Sequence, residues 1–163
     1  MNIETYQFGY SVYESSDELS SEDKSLLDKA RVITQKAYAP YSEFHVGAVA
    51  LLKNGEFVNG TNQENASYPV SICAERTLLS SAAMLHTDIP IDIMAIAYHN
   101  LNGKSDKPVS PCGMCRQALH EYSQRTHSPI RLILSGMEGK VFIIDHSDDL
   151  LPLSFGGDDL KTN

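Results

Sequence analysis

Two short segments constrain this chain more than any other feature. They are Cys73-Ala74-Glu75-Arg76 and Pro111-Cys112-Gly113-Met114-Cys115-Arg116. Together they hold all three cysteines of the protein. A Cys-x-x-C pair with a distant third cysteine is a metal-ligand spacing. Three thiolates hold a tetrahedral Zn²⁺ and leave its fourth position for water. Glu75, two residues past the first cysteine, is a carboxylate that can move protons without being a ligand. Whatever the fold, it has to bring these two segments together.

Other readings of the cysteines are weaker. Three is an odd number, and the N-terminus from Met1 to Tyr13 shows no basic flank followed by an apolar stretch, so a secreted disulfide framework is not expected. Three buried thiols remain the bland alternative. The expected location is cytoplasmic. No apolar run approaches membrane-spanning length. Thirteen Lys+Arg stand against 21 Asp+Glu, a net charge of −8, and the basic residues are scattered. A nucleic-acid partner needs a basic stripe, so a small-molecule substrate is expected, with neither nucleic acid nor membrane as partner.

The length of 163 residues suits one domain. Residues 1–21 read as an N-terminal extension. It is either flexible or, because Tyr6, Phe8, Tyr10 and Val12 alternate with polar or small residues, a short strand or docked arm. The domain proper is taken as 22–163. A helix is expected from Ser21 to Ala39-Pro40, capped by Ser20 or Ser21, with Leu26, Leu27, Ala30, Ile33 and Ala37 on one face. A hairpin follows, with strands 46–52 and 56–61 around Asn54-Gly55. Next come helix 73–85, strand 92–98, a polar loop 100–108, helix 112–124, strands 130–134 and 141–144, and a short helix at 145–150. Strands alternating with helices predict a mixed sheet flanked by helices. All three cysteines then fall at helix N-termini, where the dipole favours thiolate over thiol.

One Zn²⁺ with three thiolates carries a net charge of −1, which works against acidifying bound water. Arg76 is the expected donor to the sulfurs, with an ordinary exposed helix arginine as the alternative. Arg116 and Gln117 are weaker candidates for the same role. Glu75 alone would read as a helix-start carboxylate; beside a ligand it reads as the proton shuttle. The six histidines are dispersed and read as structural or solvated.

The pairing of Cys-Ala-Glu-Arg with Pro-Cys-Gly-x-Cys-Arg-Gln resembles the cytidine deaminases, the small zinc enzymes of free nucleosides. The likeness extends to Ala37-Tyr38-Ala39-Pro40-Tyr41-Ser42-x-Phe44-x-Val46-Gly47-Ala48, to Gly60-Thr61-Asn62-Gln63-Glu64-Asn65-Ala66-Ser67-Tyr68, and to Leu150-Leu151-Pro152-Leu153-Ser154-Phe155-Gly156. It covers about residues 22–160. It implies a three-layer α/β/α fold with a five-stranded mixed sheet. It also implies one zinc per chain on Cys73, Cys112 and Cys115, and hydrolytic deamination at C4 of cytidine or deoxycytidine with Glu75 carrying the protons. On the substrate side the resemblance assigns Phe44 to the base face, Ala74 to the base edge and the Ser110 carbonyl to the departing amino group. Asn62 and Glu64, with Gln63 between them, are assigned to the ribose. Tyr68 and Phe155 enter neighbouring sites in tetrameric members, so a homotetramer is expected. The bland readings are core packing for Phe44, loop punctuation for Asn62 and Glu64, and a C-terminal anchor for Phe155. His45, Met114 and Gly157 depart from the family pattern. Rival readings are a deaminase of another nucleoside or of a pyrimidine antibiotic, a polynucleotide-editing deaminase, and a non-catalytic nucleoside-binding protein. The last has no need of Glu75.

Overall fold

Strand β2, Phe44–Leu52, is apolar on both faces, and a strand of that kind needs a helix layer on each side. Ala48, Ala50 and Leu52 face one layer, while Val49 and Leu51 face the other. The same division runs through β4 (Ile91–Asn100) and β5 (Arg131–Ser135). Met94, Ile96, Leu132 and Leu134 join the first side; Ile93, Ala95, Ala97 and Ile133 join the second. The first side is covered by α2 (Ala74–Leu85) and α3 (Gly113–Thr126). Leu26, Leu27 and Ala30 of α1 (Ser21–Ile33) cover the second. The expected three-layer α/β/α arrangement is therefore present in this computed structural model, which describes residues 1–161; residues 162 and 163, the end of the expected domain, lie outside the described residues.

Among the described residues the sheet has six strands, in the order β1-β6-β5-β4-β2-β3, where β1 is Ser11–Tyr13, β3 is Phe57–Thr61 and β6 is Val141–Ile144. The β4–β5 pair is parallel, joined across α3, and the other pairs are antiparallel. Five strands were expected. The sixth is the N-terminal arm, whose Ser11 and Tyr13 lie opposite Ile143 and Val141. It completes hydrogen bonds that the edge of β6 would otherwise leave open. Helix α1 also ends earlier than its periodicity suggests. The Thr34 hydroxyl donates to the Arg31 carbonyl at 2.7 Å, and the chain tightens to a 3₁₀ turn over Thr34–Lys36. The first turn of α1 is pinned to β5, where Arg131 donates to both oxygens of Asp23 at 2.7 and 2.8 Å.

One close approach sets the start of α2. Gly60 of β3 passes directly beneath the first turn of that helix. A Cβ at Gly60 would run into the Ala74 carbonyl and would stand 2.5 Å from Leu78 N and 2.8 Å from Leu78 Cβ. Only a residue without a side chain lets α2 sit this low on the sheet. Gly60→Ala must therefore lift the segment that carries Cys73 and Glu75. We expect urea denaturation to show a loss of about 1–3 kcal/mol, the usual range for overpacking a tight contact, together with faster zinc release to a chelator. Unchanged values for both would refute this account of the helix position.

Candidate active site

Helices α2 and α3 lie side by side on one face of the sheet, and their N-termini meet. Cys73 is the residue immediately before α2, and Cys112 holds the same position before α3. Both have extended backbone, and neither helix start has a side-chain cap. Cys115 lies in the first turn of α3. The unpaired N–H groups and the positive dipole ends of two helices thus converge where the sulfurs are.

The three sulfurs lie within 4.8 Å of one another. Cys73 and Cys112 are 3.8 Å apart, and Cys112 and Cys115 are 3.5 Å apart. Thiolates on one tetrahedral zinc at about 2.3 Å would stand roughly 3.8 Å apart. Two of the spacings are close to that separation and all three lie within 4.8 Å, so the arrangement and the softness of the donors fit zinc. Hydrogen bonding from the Cys115 thiol holds the Cys73 thiol down to about 6, against its burial and the Glu75 charge. The reciprocal contact with Cys73 pushes the Cys115 thiol up. One thiolate is thus already favoured before any metal arrives.

A cleft of about 680 Å³ reaches this trio from the side of Cys73 and Cys112, while Cys115 is buried behind them. Glu75 lines the cleft and is only 5% exposed. Burial pushes its carboxyl up, opposed by its own backbone N–H and by the Cys115 thiol. A buried carboxyl with its proton affinity raised is suited to taking and returning protons.

The expected substrate residues divide into two groups. Phe44, Asn62, Glu64, Tyr68, Ala74 and Ser110 all line the cleft. Phe44 stacks on Tyr98 with centroids 4.7 Å apart and planes 11° from parallel. Asn62 uses its side chain as a strand would. It donates to the Phe44 carbonyl at 2.9 Å and accepts from Val46 N–H at 2.8 Å. Glu64 receives the Tyr41 and Ser42 N–H groups on Oε2, at 2.9 and 3.2 Å. Burial raises the Glu64 pKa, but the Ser42 side chain and these two N–H groups outweigh it and hold the carboxyl low. Glu64 is therefore an ionised acceptor.

Other residues lie elsewhere. Gln63 turns away from the cleft and donates to Thr61 Oγ1 at 2.9 Å. Arg76 contributes charge that favours the Cys73 thiolate; among the described residues it makes no hydrogen bond to a sulfur. Arg116 donates to the carbonyls of Pro111 and Leu150, at 2.9 and 3.0 Å. It thereby braces the segment that carries Ser110 and Cys112. Gln117 donates to the Phe155 carbonyl at 2.8 Å and does not serve the metal trio. Phe155 lies outside its own chain's cleft, with 58% of it exposed. Sequence reasoning missed Tyr98, Ile96 and Val109 as cleft walls. Tyr98 and Ile96 share the period-2 face of β4, and Val46 lies directly opposite Tyr98, so the alternation held the signal.

Freshly purified protein should contain one zinc per chain by elemental analysis. Single Cys→Ala changes at Cys73, Cys112 or Cys115 should lower that content sharply. Full zinc retention in the triple variant would disprove the assignment.

Comparison with known proteins gives the same picture. Residues 20–128 match the family model described as the cytidine and deoxycytidylate deaminase zinc-binding region. A cytidine deaminase of Halalkalibacterium halodurans is 37% identical, over 85% of this chain and 98% of its own. The crystal structure of cytidine deaminase from Burkholderia pseudomallei superposes with a TM-score of 0.71 at 34% identity, covering 84% of this chain and all of that one. A blasticidin-S deaminase of Bacillus cereus is 29% identical over 84% of this chain and 94% of its own. With its two helix-start cysteine segments, its buried glutamate and these matches, the chain belongs to the cytidine and deoxycytidylate deaminase family.

Proposed function

We propose that this protein hydrolyses free cytidine and deoxycytidine to uridine and deoxyuridine with release of ammonia. The observation that carries this reading is Glu75, a buried carboxyl beside three clustered thiols in a cleft of about 680 Å³. Bound on Cys73, Cys112 and Cys115, zinc supplies a Lewis acid that acidifies water.

The chain's own residues supply the rest. Glu75 takes a proton from the attacking water, delivers one to ring N3, and passes one to the departing amino group. Its burial keeps bulk water away from those transfers and keeps its proton affinity high. The Ala74 N–H, in the first turn of α2, meets the base edge, and the Ser110 carbonyl accepts from the amino group that leaves. The Phe44 ring, held flat by Tyr98, packs on the base. Glu64 keeps Oε1 to accept a ribose hydroxyl while Oε2 is tied to the backbone. Asn62 has one remaining N–H for the same sugar. Contacts to the 3′-hydroxyl serve ribose and deoxyribose alike.

The active form in this proposal is a homotetramer with shared sites. A cleft that opens past exposed Tyr68 and Met114 is too open to bury a nucleoside as small-molecule sites usually do. Phe155, exposed on a Gly-flanked tail, closes the site of a neighbour. We place the enzyme in the cytoplasm, where its thiolates stay reduced; no helix among the described residues is long and apolar enough to cross a membrane. Residues 22–163 form the deaminase domain and 1–21 its extension.

Turnover assays with cytidine, deoxycytidine, cytosine, adenosine and blasticidin S decide the substrate. Cytidine and deoxycytidine should be turned over and free cytosine barely. Glu75→Gln should keep zinc and fold while losing about 10²–10⁴-fold in kcat. Glu64→Ala and Asn62→Ala should weaken nucleoside use by about 1–3 kcal/mol each. Cytosine turned over as fast as cytidine would exclude the sugar contacts, and a near wild-type Glu75→Gln rate would exclude the proton shuttle.

Site sharing has its own test. Phe155→Ala chains mixed with Glu75→Ala chains should regain part of the lost activity, since some sites then receive an intact residue from each. A monomeric mass by light scattering, or no recovery despite proven subunit exchange and a severe Phe155→Ala defect, would defeat it.

A further inference from the structure

The C-terminal tail is not merely laid on the surface. Gln117 Nε2 donates to the Phe155 carbonyl at 2.8 Å. The Ser154 hydroxyl lies 3.1 Å from His120 Nε2. Gly156 comes so near that a Cβ there would stand 3.3 Å from the same nitrogen. Gln117 and His120 are three residues apart on α3, so they project from one side of the helix.

His120 is itself fixed. It is 9% exposed, and its Nδ1 lies 3.2 Å from Asp148 Oδ1. Ser123, three residues further along α3, donates to both oxygens of that carboxylate at 2.9 Å. A neutral imidazole satisfies both contacts, donating from Nδ1 to Asp148 and accepting the Ser154 hydroxyl proton at Nε2. Ser154, His120 and Asp148 stand in the order of a hydrolytic relay. The Gly156 N–H that could face an oxyanion beside Ser154 is instead committed to Asp159 Oδ2 at 2.8 Å. The string's evident work is mechanical. It clamps the backbone on both sides of Phe155 and leaves the ring outward. A ring held out on a fixed backbone loses little freedom when it docks.

We propose that His120, together with Gln117, is a positioning residue that presents Phe155 to the active site of a neighbouring copy of this chain, an inference that rests on the shared-site reading above. The role lies outside the metal and substrate contacts. It explains why Gln117, adjacent in sequence to a ligand segment, points away from the metal.

The chain has no tryptophan, so Phe155→Trp installs a single tryptophan at the tail, which can be excited apart from the tyrosines. Adding His120→Ala or Ser154→Ala to it should lower the tryptophan anisotropy and raise its quenching by acrylamide. In the Phe155 background, His120→Ala should lower kcat/KM about tenfold to a hundredfold, the scale of an ångström-sized misplacement, with zinc content unchanged. Combined with Phe155→Ala it should add no further loss, because both changes remove the same contact. Ser154→Ala removes only a hydroxyl at the outer end of the clamp, and keeps the test alive if His120→Ala does not fold. Unchanged anisotropy and quenching in the folded variants, or losses that add in the double variant, would overturn the clamp while leaving site sharing intact. Failure of subunit mixing with the clamp signals present would instead defeat sharing, and with it the clamp's purpose.

Discussion

Two helices with their positive ends aimed at one point repel each other unless negative charge sits between them. That constraint governs this structure. Neither α2 nor α3 carries a side-chain cap at its start, and cysteines occupy the positions where Ser, Asp or Asn would ordinarily stand. Three thiolates supply the missing charge, and a divalent cation then keeps the thiolates from repelling one another. Metal, sulfurs and helix ends form one balanced unit, so the metal is part of the fold as well as of the chemistry. The sheet beneath makes the balance geometrically sharp, because Gly60 lets α2 come down to the level at which Cys73 meets Cys112.

Around that centre the polar residues of the cleft are held by borrowed backbone interactions. Asn62 pairs with β2 through its side-chain amide, extending the ladder past the end of β3. Glu64 is held by two consecutive N–H groups of the 41–42 segment. Each polar group has thus lost its freedom before a ligand arrives, which lowers the entropic cost of binding. The aromatic wall follows the same logic, since Phe44 rests flat on the buried Tyr98 and cannot swing away.

The residues that the sequence could single out without a fold are those whose chemistry is local. Thiol spacing and a carboxylate two residues from a ligand announce themselves without any fold, and the alternation of strands with helices was enough to expect a mixed sheet flanked by helices, while the three layers came from the family resemblance. The residues that lie away from the cleft share a different cause. Nearness in sequence to a functional residue says nothing about direction. In the extended stretch 62–64, neighbours point to opposite sides, so Asn62 and Glu64 face the cleft while Gln63 faces Thr61. On α3, each residue turns about 100°, which carries Gln117 roughly 200° from Cys115 and onto the C-terminal tail. Tyr98 sits within an ordinary-looking buried strand, and only the β2–β4 register reveals it as the support for Phe44. The alternation up to Val12 allowed a short strand, but that it would pair with β6 depended on a vacant sheet edge, which no local pattern encodes.

That extra strand matters beyond the count. The four residues of β6, Val-Phe-Ile-Ile, are wholly apolar. Left uncovered, their backbone would offer a ready template for another chain to add on, the first step toward edge-to-edge aggregation. The N-terminal arm occupies the β6 edge, with aromatic contacts running from Tyr6 through Phe8 and Tyr10 to Phe142. It is a guard for this apolar strand. Its worth lies in how long the protein stays dispersed at high concentration, a property that selection can act on independently of turnover.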